Sequence, residues 1–151
     1  MALNLRKATR DDAETLFRWR NDSETRKNSF QTQPIVYEEH IAWLEKTLCN
    51  SKQEIYILCE NNTPIGQIRL SIEADIAIVS YSIDVSYRAQ GYGRVLLRFV
   101  ENLCVERGMP KILRGYVKKN NTASKLIFEQ LDYVCEFDSE LECFQYTKRI
   151  L

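Results

Sequence analysis

Arg88-Ala89-Gln90-Gly91-Tyr92-Gly93-Arg94 stands between an apolar segment ending near Val85 and a long run of apolar residues at helical spacing. Two glycines one residue apart let backbone N–H groups approach an anion with no Cβ in the way. The helix predicted from about Arg94 brings its own free N–H groups and the positive end of its dipole to the same place. Arg88 and Arg94 bracket the turn. Strand, glycine turn and helix in that order form a site shaped for a pyrophosphate and built mostly from backbone. A dinucleotide-binding fingerprint needs a third Gly or Ala where Leu96 stands. A P-loop needs Gly-Lys-Ser/Thr, and neither glycine precedes a Lys.

Outward from this turn, the pattern reads as one α/β domain over residues 1–151, in the order β-α-α-β-β-β-α-β-α-β-β. Toward the C-terminus, Val95, Leu96, Phe99, Val100 and Leu103 form an apolar stripe closed by Gly108 and Pro110. A strand over Ile112 to Lys118 precedes a helix over Thr122 to Leu131, with Leu126, Ile127 and Gln130 spaced to face a sheet. Tyr133 to Phe137 and Cys143 to Ile150 make a closing hairpin. Toward the N-terminus, a strand runs from about Ile76 to Val85. Before it, Glu54 to Glu60 and Ile65 to Ile72 flank the turn residues Asn61-Asn62-Thr63-Pro64 as a hairpin. Tyr37, Ile41, Leu44 and Leu48 mark a helix, Ser23 to Pro34 a polar loop, and Ala13, Leu16, Phe17 and Arg20 one face of another helix. An opening strand, Leu3 to Ala8, leads to Thr9 and Asp12, spaced as a capping box. Helices on the faces of a mixed sheet follow.

The chain has 151 residues, 44% of them hydrophobic and 28% charged, enough for a packed core. Its 21 basic and 21 acidic residues give zero formal net charge, which argues against a partner bound mainly through nucleic-acid phosphates. A small anionic ligand needs only a local site. No apolar run reaches membrane-span length, and the N-terminal residues lack a signal-peptide core, so a cytoplasmic protein is expected. Five cysteines, without a C-x-x-C pair and beside a single histidine, give no support to a disulfide framework or a metal site. Cys59 and Cys104, inside apolar runs, read as small buried hydrophobes.

The R-x-x-G-x-G segment resembles that of the GCN5-related N-acetyltransferase (GNAT) superfamily. A second signature strengthens the resemblance: Asn121-Thr122-Ala123-Ser124 followed by Phe128-Glu129-Gln130-Leu131-Asp132-Tyr133 is similar to the family's N-x-x-A/S … Y-x-x-x-G-F helix. The fold so implied is a mixed, mostly antiparallel central sheet with helices on both faces. The cofactor implied is acetyl-coenzyme A. Arg88, Ala89, Gln90, Gly91, Tyr92, Gly93 and Arg94 become the pyrophosphate binders, and Asn121, Ser124 and Phe128 further cofactor contacts. The main chain of Ile83, Asp84 and Val85 is expected along pantetheine and the thioester, where an N–H polarises the acetyl carbonyl. Two positions depart from the pattern: Asp132 replaces the usual Gly, and Phe128 takes the place of a Tyr that protonates the departing thiolate. Tyr133 becomes the candidate donor, with Tyr116 and water as alternatives, and Phe128→Tyr is expected to be neutral or mildly activating.

Trp19-Arg20-Asn21-Asp22, Arg26, and His40 with Trp43, followed by Gly66-Gln67-Ile68-Arg69, resemble the branch acetylating amino groups of nucleotide-linked sugars in pseudaminic acid synthesis. They also resemble the ribosomal-protein N-terminal acetyltransferases. Trp19, Arg20, Asn21, Arg26, His40 and Trp43 are the expected acceptor-binding residues: aromatics to stack, Arg to pair with phosphate, Asn to bond hydroxyls. Structural roles compete: Trp19 and Trp43 as helix core, Arg20 paired with Glu24 at i,i+4, His40 as a scaffold residue. Direct transfer in a ternary complex is expected, with His40, Glu73 and Asp75 as candidate bases. The acceptor is expected to be a small-molecule amine, and the protein a monomer or homodimer. A peptide N-terminal acetyltransferase and a catalytically silent acyl-CoA-binding module are the rival functions.

Overall fold

Asn61 and Asn62, both in the left-handed region at φ 49° and 71°, make the two-residue turn whose twist matches paired antiparallel strands. They join β2 (Gln53–Glu60) to β3 (Thr63–Glu73). The computed structural model describes residues 2–151. Around this hairpin, β1 (Leu3–Lys7) pairs antiparallel with β2, and β4 (Ile76–Ile83) antiparallel with β3. The second half contains β5 (Ile112–Lys118), β6 (Val134–Asp138) and β7 (Cys143–Arg149), in the sheet order β1-β2-β3-β4-β5-β7-β6. Every neighbour is antiparallel except β4 and β5, which run parallel.

Period-two alternation sends Tyr56 and Leu58 of β2 to one face and Ile55, Ile57 and Cys59 to the other. α4 (Tyr92–Arg107) covers the first face with Leu96, Leu97, Val100 and Cys104, and α5 (Thr122–Gln130) adds Phe128. α1 (Ala13–Asn21) and α3 (Tyr37–Leu48) cover the second with Leu16, Trp19 and Leu44. The capping box is present: Thr9 and Asp12 exchange side-chain-to-backbone bonds before α1. Among the described residues no helix is long and apolar enough to cross a membrane.

Four local expectations need correction. The start of the polar stretch after Asp22 is a helix, α2 (Ser23–Asn28), because the Asp22 carboxylate accepts from Thr25 N at 3.0 Å and caps it. This break ends α1 at Asn21, so Arg20 and Glu24 do not share one helix, and no ion pair joins them among the described residues. β4 ends at Ile83, and Val85–Tyr87 is a 3-10 turn. Leu126 and Gln130 face solvent, because the larger Phe128 takes the sheet-facing side of α5 together with Ile127.

Candidate active site

β4 and β5 are joined over Ile76–Val79 and Ile112–Gly115, after which they part. Ser80–Ile83 stay paired to β3, while Tyr116–Lys118 stay paired to β7. The parting leaves one main-chain edge of each strand without a sheet partner, and a buried backbone edge needs one. At the wide end of this split, the 88–94 turn enters α4. Ala89 and Gly91 adopt positive φ, 61° and 85°, curling the backbone into a concavity. Gly91 is the N-cap of α4, and no side chain caps that end, so its first N–H groups are left for a ligand. Gly93 is buried because α4 lies close to its neighbours: a Cβ there would sit 3.2 Å from Tyr81 Cε2.

The residues expected to hold a pyrophosphate divide. Gly91 and Gly93 shape the cradle, Arg94 is exposed beside it, and Ala89 and Gln90 sit on its rim. Tyr92 instead donates its hydroxyl to Glu60 at 2.9 Å. Arg88 turns away: its guanidinium reaches Asp22 Oδ2 at 2.6 Å, and its Nε donates to the Ile83 carbonyl at 3.1 Å. Arg88 therefore ties the turn to the α1–α2 junction instead of facing an anion. Asp84 is likewise occupied, accepting from Trp19 Nε1 at 2.8 Å and from Ser86 N at 2.9 Å. Burial pushes its carboxyl pKa up, but these bonds and Arg18 outweigh that and leave it below the ordinary value. Val85 lies outside the strand and is exposed.

On the α4–α5 side of the split, the Tyr81 hydroxyl and Ser124 Oγ stand 2.6 Å apart, bridging β4 to the first turn of α5. Burial pushes the Tyr81 pKa up to about 12. Asn121 caps α5 through its side chain, which accepts from Ser124 N at 3.2 Å. Phe128 and Tyr133 correct the expectation drawn from the family pattern. Phe128 is 2% exposed, stacked on Tyr146 at 5.3 Å, with its ring tip against the backbone of Gly115. It is core, not a cofactor contact. Tyr133 packs edge-on against Phe128 at 4.9 Å, and its hydroxyl is buried without a hydrogen-bond partner among the described residues. Burial, then the charge of Glu101, raises its pKa far above the ordinary value. Glu101 lies more than two turns along α4 from Gly93, so Tyr133 does not serve the split. Tyr116 follows the last β4–β5 rung, on the opposite face from Leu113 and Val117.

The acceptor residues also separate. Trp19 is 3% exposed and belongs to the α1–α3 core. Asn21 and Arg26 brace the segment between α2 and α3: Asn21 Oδ1 accepts from Ile35 N at 3.0 Å, and Arg26 donates to the carbonyls of Asn21 and Thr32, each at 3.1 Å. His40 is fully buried, with Nε2 2.9 Å from the Ala13 carbonyl and Nδ1 2.9 Å from Arg20 Nη1. A carbonyl only accepts, so Nε2 carries the proton and Nδ1 accepts from Arg20. Burial, aided by the Arg20 charge, lowers the His40 pKa. With both nitrogens engaged, His40 positions Arg20 and has no lone pair for an acceptor amine. Glu73 and Asp75 stand at the far tip of the β3–β4 hairpin from Ile83 and do not reach the split. Arg20 and Trp43 do come together, the guanidinium 3.9 Å from the ring centroid.

Sequence reasoning left Arg69 and Tyr81 without roles. Arg69 lies over the same Trp43 ring at 5.4 Å, and on the same strand face Gln67 donates to Ser82 Oγ at 3.0 Å. Its signal is a charge in the alternation Gln67, Arg69, Ser71 on an inner strand.

Comparison with known proteins agrees with this geometry. Acetyltransferase PseH of Campylobacter jejuni subsp. jejuni serotype O:23/36 (strain 81-176) is 23% identical over 128 residues, covering 84% of this chain and 80% of PseH. A spermidine N-acetyltransferase from Vibrio cholerae, solved with CoA and spermine, has TM-score 0.86 at 14% identity, covering 97% and 95% of the two chains. The acetyltransferase from Salmonella typhimurium that modifies the N-terminal serine of ribosomal protein L7/L12 has TM-score 0.83 at 17% identity, covering 99% and 95%. Residues 2–134 match the family model of the acetyltransferase (GNAT) domain, the family to which this chain belongs.

Proposed function

We propose that this enzyme transfers an acetyl group from acetyl-CoA to an amine of a nucleotide-linked amino sugar. One observation carries the cofactor half: the split between β4 and β5 leaves an unpaired main-chain edge on each strand, beside the uncapped N-terminus of α4. The residues present fit the group. A curled backbone with free N–H groups suits a pyrophosphate, and an unpaired strand edge suits the amides of a pantetheine arm. Weak similarity to PseH supports the sugar-nucleotide acceptor, as do the aromatic and cationic side chains at Trp43, Arg20 and Arg69.

Bound acetyl-CoA supplies the thioester. The open edge of Ser80–Ile83 offers main-chain donors to its carbonyl oxygen, where negative charge grows during acyl transfer. The Tyr81–Ser124 hydroxyl pair supplies the proton for the departing thiolate, the role for which Phe128 and Tyr133 are wrongly placed. Arg88 holds the 88–94 turn against the α1–α2 junction, and Asp84 anchors α1 to the end of β4 through Trp19. Cofactor and acceptor halves are thereby fixed relative to each other. Thiol release should be measured against amino-sugar nucleotides, free amino sugars and N-terminal peptides. Turnover is expected with the first group. Preference for peptides over every sugar nucleotide would replace this reading with a peptide acetyltransferase, and cofactor binding without turnover would point to a silent acyl-CoA binder.

A further inference from the structure

Five arginines sit within ion-pair distance of a carboxylate: Arg6 with Asp12, Arg10 with Glu45, Arg18 with Asp84, Arg88 with Asp22 and Arg107 with Glu54. Arg10 and Arg18 are paired although their side chains are 74% and 68% exposed. Arg20 and Arg69 are only partly exposed, yet neither has a carboxylate within ion-pair distance among the described residues. Both guanidiniums instead lie over one indole, Trp43, at 3.9 and 5.4 Å from its centroid. Arg20 is steered there by the neutral Nδ1 of His40, itself locked by the Ala13 carbonyl. Desolvating a cation without an anion is unfavourable, two side by side more so, and a ring face compensates only in part. The strain is visible in Arg20, whose pKa falls to about 10 through burial and the nearby charge of Arg69.

The position is informative too. Arg69 pairs in register with Ser80, the first β4 residue beyond the last rung to β5, and shares its strand face with the Gln67–Ser82 hydrogen bond. The cations therefore stand beside the split, on the face away from the Tyr81–Ser124 pair.

We propose that Arg20 and Arg69, set against Trp43, form a site for the phosphate group of the acceptor. This rests on the reading above that the acceptor is a nucleotide-linked amino sugar. Two guanidiniums match a diphosphate in charge and in paired oxygen geometry. They repel polycationic amines, which separates this chain from its spermine-bound structural neighbour in acceptor chemistry.

The test uses the full chain saturated with coenzyme A, so that the 88–94 turn is filled, and titrates inorganic pyrophosphate and succinate by calorimetry. Pyrophosphate should bind to the wild type, and Arg69→Gln should weaken it by about tenfold or more, with Arg69→Lys between the two. Arg69→Gln should melt at or above the wild-type temperature, because it removes an uncompensated buried charge. A merely structural arginine would lower it. In turnover, Arg69→Gln should raise the acceptor KM and leave the acetyl-CoA KM unchanged. Equal pyrophosphate binding by wild type and Arg69→Gln overturns the site, as does binding of succinate in preference to pyrophosphate. Arg69-dependent pyrophosphate binding without acetylation of any sugar nucleotide retires the proposed acceptor and leaves the site standing. Acetylation of a sugar nucleotide with the same KM by both proteins does the reverse.

Discussion

Phe128→Tyr distinguishes two incompatible views of position 128. If the position faced the cofactor sulfur, the added hydroxyl would supply a proton and turnover would rise. The structure gives the opposite sign. The ring is 2% exposed, backed by Tyr146 in a near-parallel stack at 12° and flanked edge-on by Tyr133. Its tip meets Gly115 so closely that a Cβ there would lie 3.0 and 3.1 Å from Cε2 and Cε1. The hydroxyl would extend from that tip toward the β5 backbone. Forcing extra volume into a packed core costs about 1–3 kcal/mol. Leaving the new hydroxyl unpaired there costs about 1–3 kcal/mol more. A loss of roughly 2–6 kcal/mol follows, which for a chain of this size lowers Tm by on the order of 4–24 °C. Urea and thermal melts read the loss, and thiol release from the folded fraction should not exceed that of the wild type. A variant within about 0.5 kcal/mol of wild type, or one that turns over faster, refutes the packing argument.

Gly91 has φ +85°, and a Cβ added there would meet nothing within 4 Å, so Gly91→Val acts through backbone strain alone. Left-handed geometry costs about 1–2 kcal/mol for a side-chain-bearing residue, so coenzyme A binding should weaken on the order of tenfold while circular dichroism stays native; unchanged affinity would remove the cradle. Tyr81→Phe should lower kcat by about ten- to a hundredfold, with partial recovery on a thioester of a more acidic thiol, and an unaltered kcat would exclude the hydroxyl pair as donor. His40 is the chain's one histidine, and its folded pKa lies below the ordinary 6.5. The unfolded chain thus takes the proton first: the stability contribution is complete above about pH 6.5 and declines as pH falls through the folded pKa, by up to ~1.4 kcal/mol per pH unit. His40→Gln should lack this component, and identical acid profiles of urea melts for the two proteins would contradict the assigned tautomer and burial.

Backbone-determined features were the most legible in the sequence. Glycine placement announced the 88–94 turn, and period-two and 3.6-residue patterns announced the strands and main helices, since these depend on local sterics and one-sided burial. Side-chain partnerships were not. Arg26 and Arg69 look alike on the page, but one donates to the carbonyls of Asn21 and Thr32 and the other meets no carboxylate among the described residues. That difference depends on how α1, α2 and α3 cover the sheet, and no spacing encodes it. Arg88 is similar: the motif predicts an anion binder, and the nearby Asp22, 66 positions away, takes it. Phe128 lay in the right place along its helix, but the turn of that helix about its axis was set by the bare Gly115 beneath it.

Four rungs, Ile76–Val79 against Ile112–Gly115, connect β4 to β5, and the whole of α4 intervenes between them in sequence. The β2–β3–β4 meander and the β6–β7 hairpin close over short turns, whereas this parallel seam requires a long loop to be ordered first. In folding, the seam is therefore expected to zip late. A molecule laid between the lips holds both at once and binds only the closed form, so its free energy of binding adds to the stability of the fold. The cofactor then does for the sheet what further rungs would have done.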